Sequence, residues 1–194
     1  MTEQEFANTL HKFRDESASM LHFTPCIEDL IDNSYCQRLS EMLYAEKKHW
    51  EQHKAVPGLG AMLPDEAGLY MFVWEPRFTL RTTSTEASSL RWVLYIGKAG
   101  GPGGKGTIRN RYTSEYSKYV GQDPSPLWDT QVVTKRDKRL ARYLTLRPLD
   151  FWFLPIDDVQ EIERLERKLI KLLRPPLNDQ HGAKLRAGNP IPVT

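Results

Sequence analysis

The chain of 194 residues contains only two cysteines, Cys26 and Cys36. No histidine or second cysteine pair lies near them at metal-binding spacing, so we expect reduced thiols rather than a zinc site or a disulfide framework. The sequence also has no apolar run near the roughly 18 to 20 residues that a membrane span needs. Its first residues, MTEQEFANTL, lack the basic flank and apolar core of a signal peptide. These absences predict a cytoplasmic protein without a membrane partner.

A large net charge is also absent, because the formal charge is only +2. The charge is unevenly distributed, however. Residues 91–148 carry 12 Lys and Arg against 4 Asp and Glu, a local net charge of +8. Such a basic segment favours partners that carry phosphate groups. A solvated basic surface without a partner explains the same charge equally well.

The order of predicted elements indicates the fold class. Residues 1–56 have helical spacing of apolar residues, and the segment AVPGLGAMLP (55–64) interrupts it. Three strand-like runs and three helix-like segments then follow in the order strand, strand, helix, helix, strand, helix. The predicted strands are 68–76, 90–99 and 149–156, and the predicted helices are 107–119, 137–146 and 157–179. We therefore predict an α+β fold, a small three-stranded mixed or antiparallel sheet flanked by helices, with an N-terminal helical extension.

The same pattern divides the chain into three parts. Residues 1–60 form the helical extension and residues 180–194 a loose C-terminal tail. Residues 61–179 form the main domain, with insertions at 76–90 and 120–148.

The segment VLYIGKAGGPGGKGTIRNRY (93–112) contains six glycines between Gly97 and Gly106. It does not match a P-loop, because Ala99 stands where the first glycine belongs and Gly106 where a Ser or Thr belongs. The glycines can serve individually as a flexible connector. That explanation does not account for the tyrosine, lysine and arginines at the two ends of the segment.

Four short segments occur in a characteristic order. They are Gly-Leu-Tyr (68–70), Tyr-Ile-Gly-Lys (95–98), IRNRY (108–112) and LERKLIKLLRPPLN (165–178). Each one alone is a weak signal, since a strand tyrosine is usually a core residue. In this order, with strands and helices between them, they resemble the GIY-YIG nuclease superfamily over about 110 residues.

The resemblance implies a phosphodiester hydrolase with catalytic residues at the matching positions. These are Tyr70, Tyr95, Arg111, Glu166, Lys98 and Asn178, and Glu166 would hold a single Mg²⁺ or Mn²⁺. The residue types suit this chemistry, since a hard cation prefers carboxylate and water oxygens and a guanidinium binds phosphate. Tyr70 would act as the base or position the water, and a nearby cation would be needed to lower its pKa from the usual value near 10. Each residue also has a plain structural alternative: core tyrosines, a surface arginine, a helix ion pair for Glu166 and a turn for Asn178.

Three features depart from the family pattern. Leu69 replaces the usual isoleucine, and Tyr70 and Tyr95 are more widely separated than in compact members. Many members carry His or Tyr four residues after the arginine, where this chain has Glu115. Either Tyr116 takes that place through a shifted helix register, or activity is altered. Arg109 is a second candidate for the motif arginine.

The substrate expected from the resemblance is double-stranded DNA, bound along the basic segment. The candidate phosphate contacts are Lys98, Lys105, Arg109, Lys118, Lys135, Arg136, Lys138, Arg139 and Arg142. The chain is closest to stand-alone, restriction-type members, and a homodimer would suit cleavage of both strands. Two other interpretations remain open: a nucleic-acid-binding module with weak or no cleavage, and a non-nucleolytic protein with chance motif matches.

Overall fold

The computed structural model describes residues 31–32, 49–75, 79–81, 87–100, 106–123 and 135–178. Both cysteines, Lys105, the predicted tail at 180–194 and most of the predicted helical extension lie outside the described residues.

The described residues contain six strands, three α-helices, a π-helical turn and a 3₁₀ turn. The strands are β1 (Ile31–Asp32), β2 (Glu51–Lys54), β3 (Gly68–Trp74), β4 (Thr79–Arg81), β5 (Ala87–Ala99) and β6 (Leu149–Pro155). The helices are α1 (Ile108–Arg111), which continues into a π-helical turn (Tyr112–Tyr116), α2 (Arg136–Leu144) and α3 (Val159–Leu173). A 3₁₀ turn spans Pro57–Met62. This confirms the predicted α+β class and all three predicted strands.

The predicted number of strands was too small. Four strands form an antiparallel sheet in the order β5-β3-β6-β2, and the short strands β1 and β4 both pair with β5. Strands β3 and β6 lie at the centre, and all but the last residue of each is buried. Strands covered on both faces show continuous apolar runs, which is why the sequence revealed them. The polar strand β2 gave no such signal.

Strand β2 also corrects the prediction that residues 1–56 are helical. Glu51–Lys54 pairs antiparallel with β6, so that Lys54 stands opposite Asp150. The Lys54 ammonium lies 2.7 Å from the Asp150 carboxylate, and the His53 ring stacks on Phe153 at 5.6 Å. Pairing with a neighbouring strand overrides the local helical preference, which is a weak determinant of structure.

The sheet separates two apolar layers. One face carries Tyr70, Phe72, Tyr95, Phe151 and Phe153 and packs against α1, the π-helical turn and α2; we call it the tyrosine face. The other carries Leu69, Met71, Ile96 and Trp152 and packs against α3; we call it the α3 face. Side chains alternate between the faces along each strand.

One β-bulge interrupts this alternation in β5. Phe72 stands opposite Tyr95 and Val73 stands opposite Val93, which leaves Leu94 as the extra residue. Leu94 and Tyr95 both pack on the tyrosine face. The bulge therefore sets the face on which Tyr95 lies.

Side-chain caps fix where two helices begin. Thr107 precedes α1 and its hydroxyl accepts a hydrogen bond from the Asn110 amide at 3.2 Å. Asp158 precedes α3 and its carboxylate accepts from the Gln160 amide at 2.8 Å. Both caps follow the expected preference for Thr and Asp at helix N-termini.

Candidate active site

Tyr70 and Gly97 face each other across strands β3 and β5. A Cβ atom at position 97 would lie 2.5 Å from Cζ and 2.6 Å from the hydroxyl oxygen of Tyr70. Heavy atoms do not approach that closely, so the Tyr70 ring occupies the space that any other side chain would need. The Gly-Leu-Tyr and Tyr-Ile-Gly segments, far apart in sequence, therefore form one packed unit.

Three tyrosines cluster on the tyrosine face. The hydroxyls of Tyr70 and Tyr116 lie 3.0 Å apart and form a hydrogen bond. The Tyr95 ring centroid lies 6.3 Å from that of Tyr70 and 5.8 Å from that of Tyr116. Burial, reinforced by neighbouring phenols, raises the pKa of Tyr70 and of Tyr116 well above the usual value for tyrosine. Both phenols are therefore neutral near pH 7.

The π-helical turn places Tyr116 in this cluster. The Ser117 amide donates to the Tyr112 carbonyl at 2.9 Å, a bond that spans five residues instead of four. Because of this longer turn, the fifth residue after Arg111 faces the sheet, and that residue is Tyr116. This is the shifted register that the sequence left open, and Glu115 does not contact Tyr70 by a hydrogen bond.

Arg111 lies beside the tyrosines, and about a third of its side chain is exposed. Its guanidinium forms an ion pair with Glu115, while its buried Nε atom has no hydrogen-bond partner among the described residues. Burial lowers the pKa of Arg111, but Glu115 and the nearby Tyr70 outweigh this effect and raise it. Arg109, the second candidate for the motif arginine, donates from Nε to the Leu63 carbonyl at 2.8 Å. It thereby holds the end of the 3₁₀ turn. Of the two arginines, Arg111 is the one at the tyrosine cluster.

Lys98 and Glu166 meet on the other face of the sheet. The Lys98 ammonium lies 3.2 Å from the carboxylates of both Glu163 and Glu166, which are one turn apart on α3. Burial lowers the pKa of Lys98, but the two carboxylates together raise it above its usual value. Glu163 was not predicted as a site residue. Its spacing of three residues from Glu166 on a predicted helix was the available signal.

The predicted site residues thus form two groups. Tyr70, Tyr95 and Arg111 belong to the tyrosine face. Lys98 stands opposite Leu69 and lies with Glu166 on the α3 face. Lys98 directly follows Gly97, so both groups lie at the same end of β5. Among the described residues, no hydrogen bond or ion pair joins one group to the other.

Asn178 contacts the backbone of β5. Its side-chain oxygen accepts from the Ile96 amide at 2.9 Å, and its side-chain nitrogen donates to the Ile96 carbonyl at 2.7 Å. The Leu177 amide also donates to the Leu94 carbonyl at 3.1 Å. The segment after α3 therefore covers the edge of β5, and Asn178 contributes to the site through the position of that strand.

The predicted phosphate contacts have different environments. Arg136 reaches the cluster, since its Nη2 atom donates to the Tyr95 hydroxyl at 3.0 Å. Lys118 lies over the Tyr119 ring at 4.8 Å. Burial lowers the pKa of Arg142. Lys135 and Lys138 are exposed on the surface, and Arg139 is partly buried.

The carboxylates of Glu163 and Glu166 beside Lys98 are the candidate ligands for a metal ion. The described residues contain no group of three or more His, Cys, Asp or Glu side chains that could hold a metal ion. Glu163 and Glu166 nevertheless direct carboxylate oxygens at a single cationic atom. Two carboxylates fit a hard cation such as Mg²⁺, which keeps several water ligands and seldom needs a complete protein cage.

Comparison with known proteins found no matching family model, no matching curated protein and no matching solved structure. Among the residues that the structure describes, no helix combines the length and apolar character that crossing a bilayer requires.

Proposed function

We propose that this protein is an endonuclease of the GIY-YIG type that hydrolyses phosphodiester bonds in DNA with a divalent metal ion. The packing of Tyr70 on Gly97, with Tyr95 and Arg111 beside it, is the observation that supports this most strongly. This packing links the Gly-Leu-Tyr and Tyr-Ile-Gly segments, because the tyrosine of the first needs the glycine of the second. The reaction itself, phosphodiester hydrolysis, is inferred from the resemblance of the four motif segments to the GIY-YIG superfamily.

The tyrosine face offers hydrogen-bond donors to a phosphodiester. Arg111 supplies a planar, permanently charged group that suits phosphate oxygens. Of the two roles left open for Tyr70, its raised pKa disfavours removing a proton from the water. Because Tyr70 is fully buried and its hydroxyl is bonded to Tyr116, it would act on the water indirectly, by fixing the cluster around Tyr95. Tyr95, less buried than Tyr70, would donate a hydrogen bond to the water or the phosphate.

Glu166, with Glu163 beside it, would hold the Mg²⁺ or Mn²⁺ ion. When bound, such an ion supplies charge stabilisation at the phosphoryl oxygens and a more acidic water. Lys98 now neutralises both carboxylates, so its ammonium and a metal ion would compete for the same oxygens. A displaced Lys98 would be free to contact phosphate.

The test is cleavage of supercoiled plasmid by the purified protein in Mg²⁺ or Mn²⁺. Glu166→Gln should lower the rate on the order of 100-fold or more, because the metal loses its carboxylate ligand. Glu66→Gln is the matched control, since Glu66 is exposed and lies outside the site. Chelator should abolish cutting by the parent protein. Cutting that survives both chelator and Glu166→Gln would exclude the proposed enzyme.

A nucleic-acid-binding module with little or no cleavage is the second candidate. Three ion pairs favour it: Arg111 is neutralised by Glu115, and Lys98 by both Glu163 and Glu166. Absence of cutting together with salt-dependent DNA binding would favour this module over the enzyme. Double-stranded DNA as substrate, a homodimer and a cytoplasmic location remain predictions under both candidates.

A further inference from the structure

Arg136 lies outside all four motif segments, yet it reaches the tyrosine cluster. It is the first residue of α2 and lies within the predicted insertion at 120–148. Its Nη2 atom donates to the Tyr95 hydroxyl at 3.0 Å, and its guanidinium carbon lies 5.6 Å from the Tyr95 ring centroid. One guanidinium thus makes both a hydrogen bond and a cation–π contact with one motif tyrosine.

Helix α2 holds this contact in place. Leu140 and Leu144 are buried in the core of the tyrosine face. Tyr143 packs edge-on against Trp92 of β5 with ring centroids 6.4 Å apart. The helix is therefore anchored on the strand that carries Tyr95, and its first residue lies over that tyrosine.

The hydrogen bond has a definite direction. A guanidinium carries five N–H donors and no acceptor, so the Tyr95 oxygen accepts from Arg136. The single O–H of Tyr95 then remains to donate to another acceptor. Non-bridging phosphate oxygens are such acceptors, and the other N–H groups of Arg136 can donate to the same group.

Among the residues that the structure describes, no carboxylate neutralises the charge of Arg136. Among the described residues, Arg136 forms no ion pair, whereas Arg111 is paired with Glu115. Burial lowers the pKa of Arg136, but the phenols of Tyr95 and Tyr116 raise it by more than burial lowers it. Arg136 therefore carries a full charge. Of the two arginines at the cluster, Arg136 is the one whose charge is available to an anion.

We propose that Arg136 is a second phosphate-binding arginine of the active site and that it positions the Tyr95 hydroxyl toward the same phosphate. The ligand is a backbone phosphate of the nucleic acid substrate. This inference rests on the proposed function, but it concerns binding as well as cleavage, and the two are measured separately.

The binding test uses a short fluorescein-labelled DNA duplex with chelator present, titrated at several salt concentrations. Log affinity falls linearly with log salt, and loss of one phosphate contact makes this negative slope shallower by about 0.9. Arg136→Gln should show this decrease. Lys171→Gln removes an exposed positive charge on α3, away from the cluster, and should leave the slope unchanged. An unchanged slope in Arg136→Gln would overturn the proposal, whether or not the parent protein cuts DNA.

The cleavage test separates binding from positioning. Arg136→Lys keeps the charge but not the planar fork, so it should retain the salt slope and lose turnover on the order of 10-fold or more. Arg136→Gln combined with Tyr95→Phe should reduce turnover by less than the two single losses combined, because part of each loss acts through the shared hydrogen bond. Additive losses would overturn the positioning role. If the parent protein binds with the expected slope but does not cut, the nuclease proposal fails and the phosphate contact stands.

Discussion

At the scale of single residues, Gly97 leaves no room for a larger side chain. The Tyr70 ring fills the space beside its Cα atom. Gly97→Ala should therefore destabilise the fold by about 1–3 kcal/mol, because the buried ring has to move. Gly58→Ala is the control, since nothing lies within 4 Å of a Cβ atom at Gly58. It should change stability by less than about 0.5 kcal/mol.

Urea unfolding of both variants measures this difference. Equal stability of Gly97→Ala and the parent protein would show that the Tyr70 ring moves freely, contrary to the packing described here.

Sequence reasoning identified residues that belong to motifs and missed those that reach the site through packing. Tyr70, Tyr95 and Arg111 were predicted from their segments, and the structure brings them together. Arg136 was predicted only as one of many phosphate contacts, because nothing local links it to Tyr95, which is 41 residues away. Glu163 was missed because a charged residue on an amphipathic helix usually faces solvent.

At the scale of elements, the end of α3 and the edge of β5 are joined through Asn178. Its amide satisfies both backbone groups of Ile96. Asn178→Ala would leave these two groups without their partners, which should destabilise the fold by about 1–3 kcal/mol. Cleavage should fall with the loss of strand position, and DNA binding should keep its salt slope.

Asn110→Ala provides the comparison, because Asn110 is exposed on α1 and its side chain makes no described hydrogen bond. Chemical denaturation and the duplex titration measure the two effects. Full stability combined with lost cleavage in Asn178→Ala would instead indicate a direct catalytic role for Asn178.

Predictions of elements succeeded where the apolar pattern is strong. Strands β3 and β6 and helix α3 have continuous or periodic apolar residues, and all three were predicted. Strand β2 has the sequence Glu-Gln-His-Lys and forms because β6 presents an unpaired edge. The π-helical turn has no sequence signature either, and only the mismatch at Glu115 indicated a shifted register.

At the scale of the whole molecule, the number of buried phenols sets the response to alkaline pH. The pKa values of Tyr70, Tyr112, Tyr116 and Tyr143 are all raised, chiefly by burial. Below pH about 10 both the folded and unfolded chains keep these protons, so their contribution to stability is fully present. Above that pH the unfolded chain loses protons that the folded chain retains, and the free energy of unfolding falls.

Tyr70→Phe removes one of these groups. Above pH about 10, its free energy of unfolding should fall less steeply than that of the parent, by about 1.4 kcal/mol per pH unit. Unfolding curves recorded at several alkaline pH values measure the two slopes. Identical slopes would mean that Tyr70 ionises in the folded protein, which would restore it as a candidate base.

The bulge at Leu94 affects how strand β5 tolerates the insertion or deletion of residues. It lies between the half of β5 that pairs with β1 and β4 and the half that carries Tyr95, Gly97 and Lys98. A bulge absorbs one residue locally without altering the pairing on its far side. We therefore expect that the paired strands β4 and β5 tolerate a change of length on the far side of Leu94, while the half of β5 that carries the candidate site keeps its register. An exchanged segment would be joined to the rest of β5 at Leu94.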